Sequence, residues 1–409
     1  MKKICLGDVI EVIHGWAFKG EFFSATGEKL VVTPGNFFEK GGFREREGKE
    51  KFYLSEEFPK KYLLEKHDLI IAMTEQGEGL LGSSALVPEN EKYLHNQRIG
   101  KICIKQPNLL DKYYLYFLFN TLSVRKQISN SASGTKVKHT APERIYRVEV
   151  CLPPLENQIK ISKLLMSIEE LGAINSKKIG ILKNTVDVLY QEWFINFKFP
   201  NHEQVKFVDG IPEGWVNTPL KQVMSTNPST LKKGELDEIL YVDISSVGQG
   251  KIESFTQYHI DDAPGRAKRK VQHGDVIWSC VRPNRKQYAL IQNPQTNLIV
   301  STGFTVLRST KIPFTYLTAL AASDDFCGYL TSVAQGAAYP AVTYKDFEDY
   351  ELLLPPKSLL DKFHEVVEPM YEQIHILQTQ NQKLQDLKET LLPRLMSGEL
   401  DVSKLSSIE

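Results

Sequence analysis

Leu152–Phe194 reads LPPLENQIKISKLLMSIEELGAINSKKIGILKNTVDVLYQEWF. Pro153 and Pro154 stop whatever precedes, and no further proline intervenes before Pro200. Apolar residues recur at helical spacing, so the stretch is expected to be one long helix. A second stretch, Leu354–Met396, repeats it: Pro355 and Pro356 align with Pro153 and Pro154 at an offset of 356 − 154 = 202. At that offset Ile161, Ile168, Asn175, Leu182 and Leu189 fall on Phe363, Met370, Leu377, Leu384 and Leu391. Both sets step by seven, and an apolar seven-residue step is a seam that seeks another helix. A helix of roughly 35 residues is about 50 Å long, more than a compact domain needs and suited to a spacer. Gly172 and Gly180 weaken its middle, each by up to about 1 kcal/mol against alanine. Asn175 is the polar member of the seam, and either fixes the register of a helix pair or marks a bend.

The chain has 409 residues, enough for two or three domains. Lys plus Arg and Asp plus Glu number 50 each, so only local patches can argue for a nucleic-acid partner. The five cysteines, Cys5, Cys103, Cys151, Cys280 and Cys327, form no CxxC pair. That excludes a sequence-evident zinc site and suggests a reducing compartment. The N-terminus lacks a signal-peptide core, and no apolar run approaches the roughly 18 residues of a membrane span. A cytoplasmic protein is the expectation.

Residues 1–150 read as short strands and turns followed by helix, with strands at Lys29–Val32 and Asp68–Met73. The charged, glycine-rich segment from Gly35 to Lys51 is expected to be an exposed loop. Tyr113–Asn120 leads into a helix through Gln127, and Ser129–Thr140 reads as a basic loop. Residues 151–199 hold the first long helix, and Lys198–Glu213 reads as a connector. Residues 200–352 form a second globular unit that echoes the first. Asp275–Ser279 stands where Asp68–Ala72 stood, and Leu317–Leu330 where the earlier helix stood. Gly336 matches Gly134, again at 202. Residues 353–409 hold the second long helix and a polar tail. The fold class is therefore α+β: two pseudo-repeated globular domains separated by two long coiled-coil-like helices. The helices stay alike while the side chains of the globular units diverge, which points to one scaffold carrying two different readers.

Gly77-Glu-Gly79-Leu-Leu-Gly82 matches GxGxxG, but SSALVPEN follows instead of a helix, so a tight strand–turn–strand is the better reading. There is no GxxxxGK[ST], no HExxH, no Asn/Asp-Pro-Pro-aromatic methylation motif and no Pro-Asp nuclease motif. No catalytic constellation and no metal set emerges. The local basic clusters are different. Arg266, Lys268, Arg269 and Lys270 form one run, and Arg282, Asn284, Arg285 and Lys286 form a proline-containing turn after a strand. Arginine suits the edge of guanine and asparagine that of adenine, while lysines more often hold phosphates. The first unit offers Arg44, Arg46, Gln97, Arg98, Lys136, Lys138 and His139.

Taken in order, LPPLENQIKISKLL, LYQEWFINFKFP, DGIPEGW, LLPRLMSGEL, the hairpins LIIAMTEQGEGLLG and VIWSCVRPNRKQYAL, and ASGTKVKHT resemble the specificity subunit of a Type I restriction–modification enzyme over essentially the whole length. The resemblance implies two target-recognition domains, each reading half of a split, asymmetric double-stranded DNA sequence, with the long helices paired antiparallel and setting the gap. It implies two modification subunits that methylate adenine with S-adenosylmethionine, and restriction subunits that use ATP and magnesium. This chain is then non-catalytic and holds none of those cofactors itself. Asn157 stands where many relatives carry glutamate, and the second copy, PPKSLLDKF, lacks the acidic-Gln pair. Both put symmetric subunit contacts at the helix starts in doubt. The competing readings are the detached recognition arm of another methyltransferase–nuclease system and a helical protein-interaction adaptor.

Overall fold

The computed structural model describes residues 2–46, 48–75, 79–134 and 137–403. Three helices, Lys112–Phe119 (α1), Leu122–Asn130 (α2) and Leu155–Tyr190 (α3), recur as Phe314–Ala322 (α4), Asp324–Val333 (α5) and Lys357–Ser397 (α6). Each recurs at the offset found in the sequence, for example 357 − 155 = 202. Neither Gly172 nor Gly180 breaks α3, which ends in a single π-turn at Gln191–Ile195. Gly398, at φ 78°, stops α6 in the left-handed conformation that glycine adopts without strain. The helix expected to run from Tyr113 through Gln127 is two helices. Thr121 caps the second by accepting from the Val124 N–H, and Ser323 does the same for Phe326 in the repeat.

Contacts gather the chain into two compact units, residues 1–173 with 382–409 and residues 174–381. Each long helix thus gives one half to each unit, whereas the chain order alone suggested four consecutive pieces. The seam explains this. In unit 1, Ile161 and Leu165 share a core with Leu395 and Met396, and Glu169 pairs with Lys388. In unit 2, Val186, Tyr190 and Phe194 share a core with Phe363 and Val367. Within each unit the rising numbers of α3 meet the falling numbers of α6, so the halves run antiparallel. Ile161, Ile168, Asn175, Phe363 and Leu377 are buried, and Leu182, Leu189, Met370, Leu384 and Leu391 are half-buried. Asn175 takes the register role. Its Nδ2 donates to Gln380 Oε1 at 3.0 Å and Asn381 Oδ1 at 2.9 Å, contacts available at one register only.

Unit 1 closes its own ends: Lys2–Cys5 (β1) pairs antiparallel with Glu149–Leu152, just before α3. Its main sheet has Ile10–His14 (β2) and Leu69–Ala72 (β3) flanking Ile99–Ile104, with Ser84–Leu86 at the far edge. Unit 2 repeats the scheme. Val216–Pro219 pairs with Glu351–Leu354, and the sheet order is Met224–Thr226, Phe304–Ser309, Val276–Ser279, Tyr288–Leu290. A second small sheet in each unit contains a parallel pair, Leu30–Val31 with Tyr93–Leu94 and Glu238–Val242 with Leu298–Ser301. α1 and α4 lie almost wholly buried, which is why YYLYFLF carries so little polarity.

Two further expectations change. The Gly35–Lys51 loop is not simply exposed: Asn36 and Phe37 are fully buried. The connector after α3 is part of the core of unit 2: its Phe199 packs on Trp215, which in turn packs on Phe194. The described part of the polar tail, through residue 403, also packs back, with Val402 buried in the core of unit 1 beside Ile161 and its neighbours.

An ion pair marks the same place in both sheets. Asp275 is fully buried and accepts two 2.7 Å bonds from Arg308, and Asp68 pairs with Lys101 at 2.6 Å. Removing one member of a buried pair strands the other charge. Arg308→Ala is expected to cost about 3–5 kcal/mol of unfolding free energy. Lys101→Ala is expected to cost roughly 1–2 kcal/mol, because Asp68 keeps contact with water. Urea unfolding of the two variants measures the difference.

Candidate nucleic-acid interface

Two loops distant in sequence converge in unit 2. The strand Val276–Ser279 runs into a tight 3-10 turn, Pro283–Arg285, and returns as Tyr288–Leu290. Arg282 and Lys286 flank the turn with φ of 51° and 54°. That left-handed conformation costs a non-glycine residue roughly 1–2 kcal/mol and persists only when the surroundings enforce it. Here they do. The Arg282 N–H donates to Pro340 O at 2.7 Å, and its guanidinium lies 4.7 Å over the Tyr339 ring. The Lys286 ammonium pairs with Asp324 at 2.6 Å. Asn284 and Arg285 are left exposed on a fixed tip.

Arg266 reaches the same place from the other basic run. Arg266 and Arg285 line one open cleft of about 590 Å³ with Tyr241, Asp243, Tyr258 and Gln287. The Ser245 hydroxyl donates to Asp243, and this bond holds the carboxyl below its usual range, so it is ionised at neutral pH. The cleft offers fixed cationic donors and one anionic acceptor, the two kinds of group that distinguish base edges. Lys268 is exposed on the neighbouring strand. Arg269 and Lys270 are not part of the cleft: Lys270 pairs with Glu235, and Arg269 is half-buried with its Nε lacking a partner among the described residues.

In unit 1, Gln97 and Arg98 are exposed on the turn before Ile99. The Trp16 N–H donates to His95 O at 2.8 Å, and the Gln97 N–H returns a bond to Trp16 O at 3.1 Å. A Cβ on Gly15 would sit 2.2 Å from Asn96 O, so only glycine admits this close approach. His95 beneath is buried, and burial lowers its pKa to about 4, which keeps it neutral. Lys138 and His139 belong to the same end of the unit. Thr140 donates its N–H to Met73 O, and Met73 donates its own to Arg98 O. Lys138 faces the buried Glu75 at 3.8 Å, and His139 Nδ1 lies 3.1 Å from the Thr74 hydroxyl.

The same frame recurs in unit 2, where Val342 donates to Cys280 O and Cys280 to Gly303 O. Arg98 therefore corresponds to Gly303 and His139 to Ala341. The basic turn Arg282–Lys286 stands where unit 1 carries Glu75-Gln-Gly-Glu-Gly79, of which residues 76–78 lie outside the described residues. The two units share a backbone and place their charge on different loops of it.

Arg44 and Arg46 stand apart from these clusters and serve their own loop. Arg44 Nε donates to Gly35 O at 3.0 Å, and Arg46 Nη2 reaches Lys49 O at 3.4 Å. Lys136 lies outside the described residues. The sequence reading missed Arg125. Its Nε donates to Leu81 O at 2.8 Å, and it also bonds the carbonyls of Gly79 and Glu39, tying residues 79–81 and Glu39 to α2. Burial lowers its pKa to about 10. Cys327, 202 residues on, holds Pro283 O in the same way at 3.4 Å. The signal was available: Arg125 is a cation between Val124 and Ile128, the buried positions of α2.

Residues 1–184 match the family model described as Type I restriction modification DNA specificity domain. The chain is 23% identical over 301 residues to the Type I restriction enzyme MjaIX specificity subunit of Methanocaldococcus jannaschii, covering 71% of this chain and 70% of that one. It is 21% identical over 362 residues to the MjaVIII specificity subunit of the same organism, covering 85% and 82%. The crystal structure of a Type I restriction–modification S subunit from M. genitalium shares the fold, with a TM-score of 0.64, 14% identity, and 97% and 96% of the two chains covered. Both curated relatives are named as specificity subunits of Type I restriction enzymes. No described helix is long and apolar enough to cross a membrane.

The two cations of the reading turn are expected to behave differently. Arg285→Ala, which removes an exposed guanidinium with no ion-pair partner among the described residues, is expected to cost about 1–3 kcal/mol of DNA binding and relax one base position. Lys286→Ala is not expected to remove an even phosphate contact, as a lysine would suggest from sequence, because its ammonium is spent on Asp324. Binding isotherms on duplexes that differ at single positions separate the two.

Proposed function

We propose that this chain, which belongs with the specificity subunits of Type I restriction–modification enzymes, reads a bipartite, asymmetric DNA sequence, one half with each unit. A single observation carries the reading: two units built on one backbone frame expose different reading groups. Unit 1 presents Gln97, Arg98 and His139, and unit 2 presents Arg266, Asn284 and Arg285. Identical readers would favour a palindrome; these do not.

Lys268 in unit 2 is placed for phosphate, a contact that fixes register without reading sequence. The partners that suit the chain are DNA, two modification subunits and restriction subunits, in the cytoplasm. S-adenosylmethionine, ATP and magnesium belong to those partners. The doubt raised by Asn157 and PPKSLLDKF bears on how symmetrically the partners dock. Gln158 itself is an internal anchor. It is fully buried, accepts from the Asp111 N–H at 3.0 Å, and donates to Leu109 O and Pro153 O at 2.9 Å. The second copy puts the buried Leu360 there. The difference is thus one of packing inside each unit.

Mapping methylated adenines in host DNA with and without the gene is expected to return two unlike half-sites separated by unread bases. A continuous palindrome would overturn the assignment. Retention on DNA that falls steeply with salt distinguishes it from an adaptor that binds only protein.

A further inference from the structure

We infer that Lys183 of α3 and Gln378 of α6 are positioning residues for the reading turn of unit 2, a role that rests on the DNA reading proposed above. Lys183 Nζ donates to Gln249 O at 3.0 Å and to Gly250 O at 3.4 Å. Gln378 Nε2 donates to the same Gly250 carbonyl at 3.4 Å. Both long helices therefore grip one loop residue from their unit 2 halves. Gly250 has a φ of 69°, and a Cβ there would come within 3.0 Å of Lys183 Nζ and 3.3 Å of the Tyr288 hydroxyl. Glycine is what lets the helices come this close.

From Gly250 the connection to Arg285 is short. The Gly250 N–H donates to Tyr288 O at 2.8 Å, and the Tyr288 N–H donates to Gly248 O at 3.1 Å. Gln249 then donates its side-chain amide to Arg285 O at 3.4 Å. The gripped loop thus holds the carbonyl of the residue whose guanidinium lines the cleft.

Lys183 is not an ordinary surface lysine. Among the described residues no carboxylate lies within ion-pair distance of its ammonium, although Asp187 and Glu253 contribute to its field. Burial lowers its pKa. Its donors are aimed at backbone carbonyls of the loop. In unit 1 the corresponding residue, 183 + 202, is Gln385, which bonds Glu389 on its own helix at 2.7 Å. There Arg125 bonds the carbonyls of Gly79 and Leu81. The grip is a device of the second reader.

The test uses the complete methyltransferase assembled on the full chain, with duplexes carrying single substitutions in either half-site. Lys183→Met keeps the aliphatic stem and removes the donors. Its preference for the correct base in the half-site read by unit 2 is expected to fall roughly tenfold, within the range one base contact supplies. Preference in the other half-site stays unchanged, Lys183→Arg restores most of the loss, and Gln378→Leu shifts preference in the same direction by less. Hydrogen exchange at the amides of Arg285 and Lys286 is expected to quicken in Lys183→Met. If Lys183→Met keeps both preferences, or slows methylation evenly on every duplex, the positioning role is wrong and the contact merely stabilises. If Lys183→Met does not assemble, Gln378→Leu decides: an unchanged preference overturns the inference. A wild-type complex indifferent to bases in both halves sinks the DNA reading and this inference with it.

Discussion

Burial of one apolar seam constrains everything else in this chain. In a protein most of a helix's stability comes from packing its apolar face and little from its own propensity. Each helix here covers its seam in two places, with its first half in one unit and its second half in the other. Neither globular core is complete without both helices. Ile161 and Leu165 belong to the core of unit 1 as fully as Leu115 does, and Phe363 belongs to that of unit 2 as fully as Leu317 does. The polar break in the seam, Asn175, adds no apolar burial. What it adds is uniqueness, because its two amide acceptors exist at one register only.

With the helices fixed, the sheets are fixed by their ends. The short ladder between Lys2–Cys5 and Glu149–Leu152 ties the start of unit 1 to the root of α3, and its counterpart ties unit 2 to the root of α6. The reading loops are then the part of each unit that the frame does not determine. Their backbones are held by bonds from outside the loop: Arg125 on Gly79 and Leu81, Cys327 on Pro283, Lys183 and Gln378 on Gly250. A rigid tip loses little freedom on binding, so the contact its side chain makes is not offset by ordering.

The repeat was the most legible part of the sequence, because a shared offset and a shared heptad phase report packing directly. The strands Asp68–Met73 and Asp275–Ser279 were legible too, as short runs rich in β-branched residues. The break between α1 and α2 was not, since Thr121 acts only as a cap and leaves the apolar pattern continuous on both sides. Phe199 was missed because a segment bounded by prolines and glycines reads as linker even when its aromatic is buried. At the interface, residue type alone could not separate a free cation from a spent one. Arg266 and Arg285 meet in a cleft, while Lys270, Lys286 and Lys138 face carboxylates from distant segments, Glu235, Asp324 and Glu75. Only the fold brings those carboxylates close.

That pairing has a consequence for how selectively the chain can bind. Sequence-independent affinity for DNA grows with the number of phosphates neutralised, and every phosphate contact strengthens wrong sites as much as right ones. A reader gains specificity by keeping few free cations and aiming them at base edges. The balanced composition, 50 basic against 50 acidic residues, keeps the long-range attraction weak. Within the basic runs of unit 2, Lys270 and Lys286 are neutralised in place while Lys268 stays exposed, and Arg266 and Arg285 have no ion-pair partner among the described residues. Arginine is the better residue to leave free, because its planar fork can grip a guanine edge at two points, whereas an ammonium acts as a point charge. On the proposed DNA reading, pairing Lys270 and Lys286 with carboxylates while Arg266 and Arg285 line the cleft would lower the background of non-specific contacts and leave base reading to the tips.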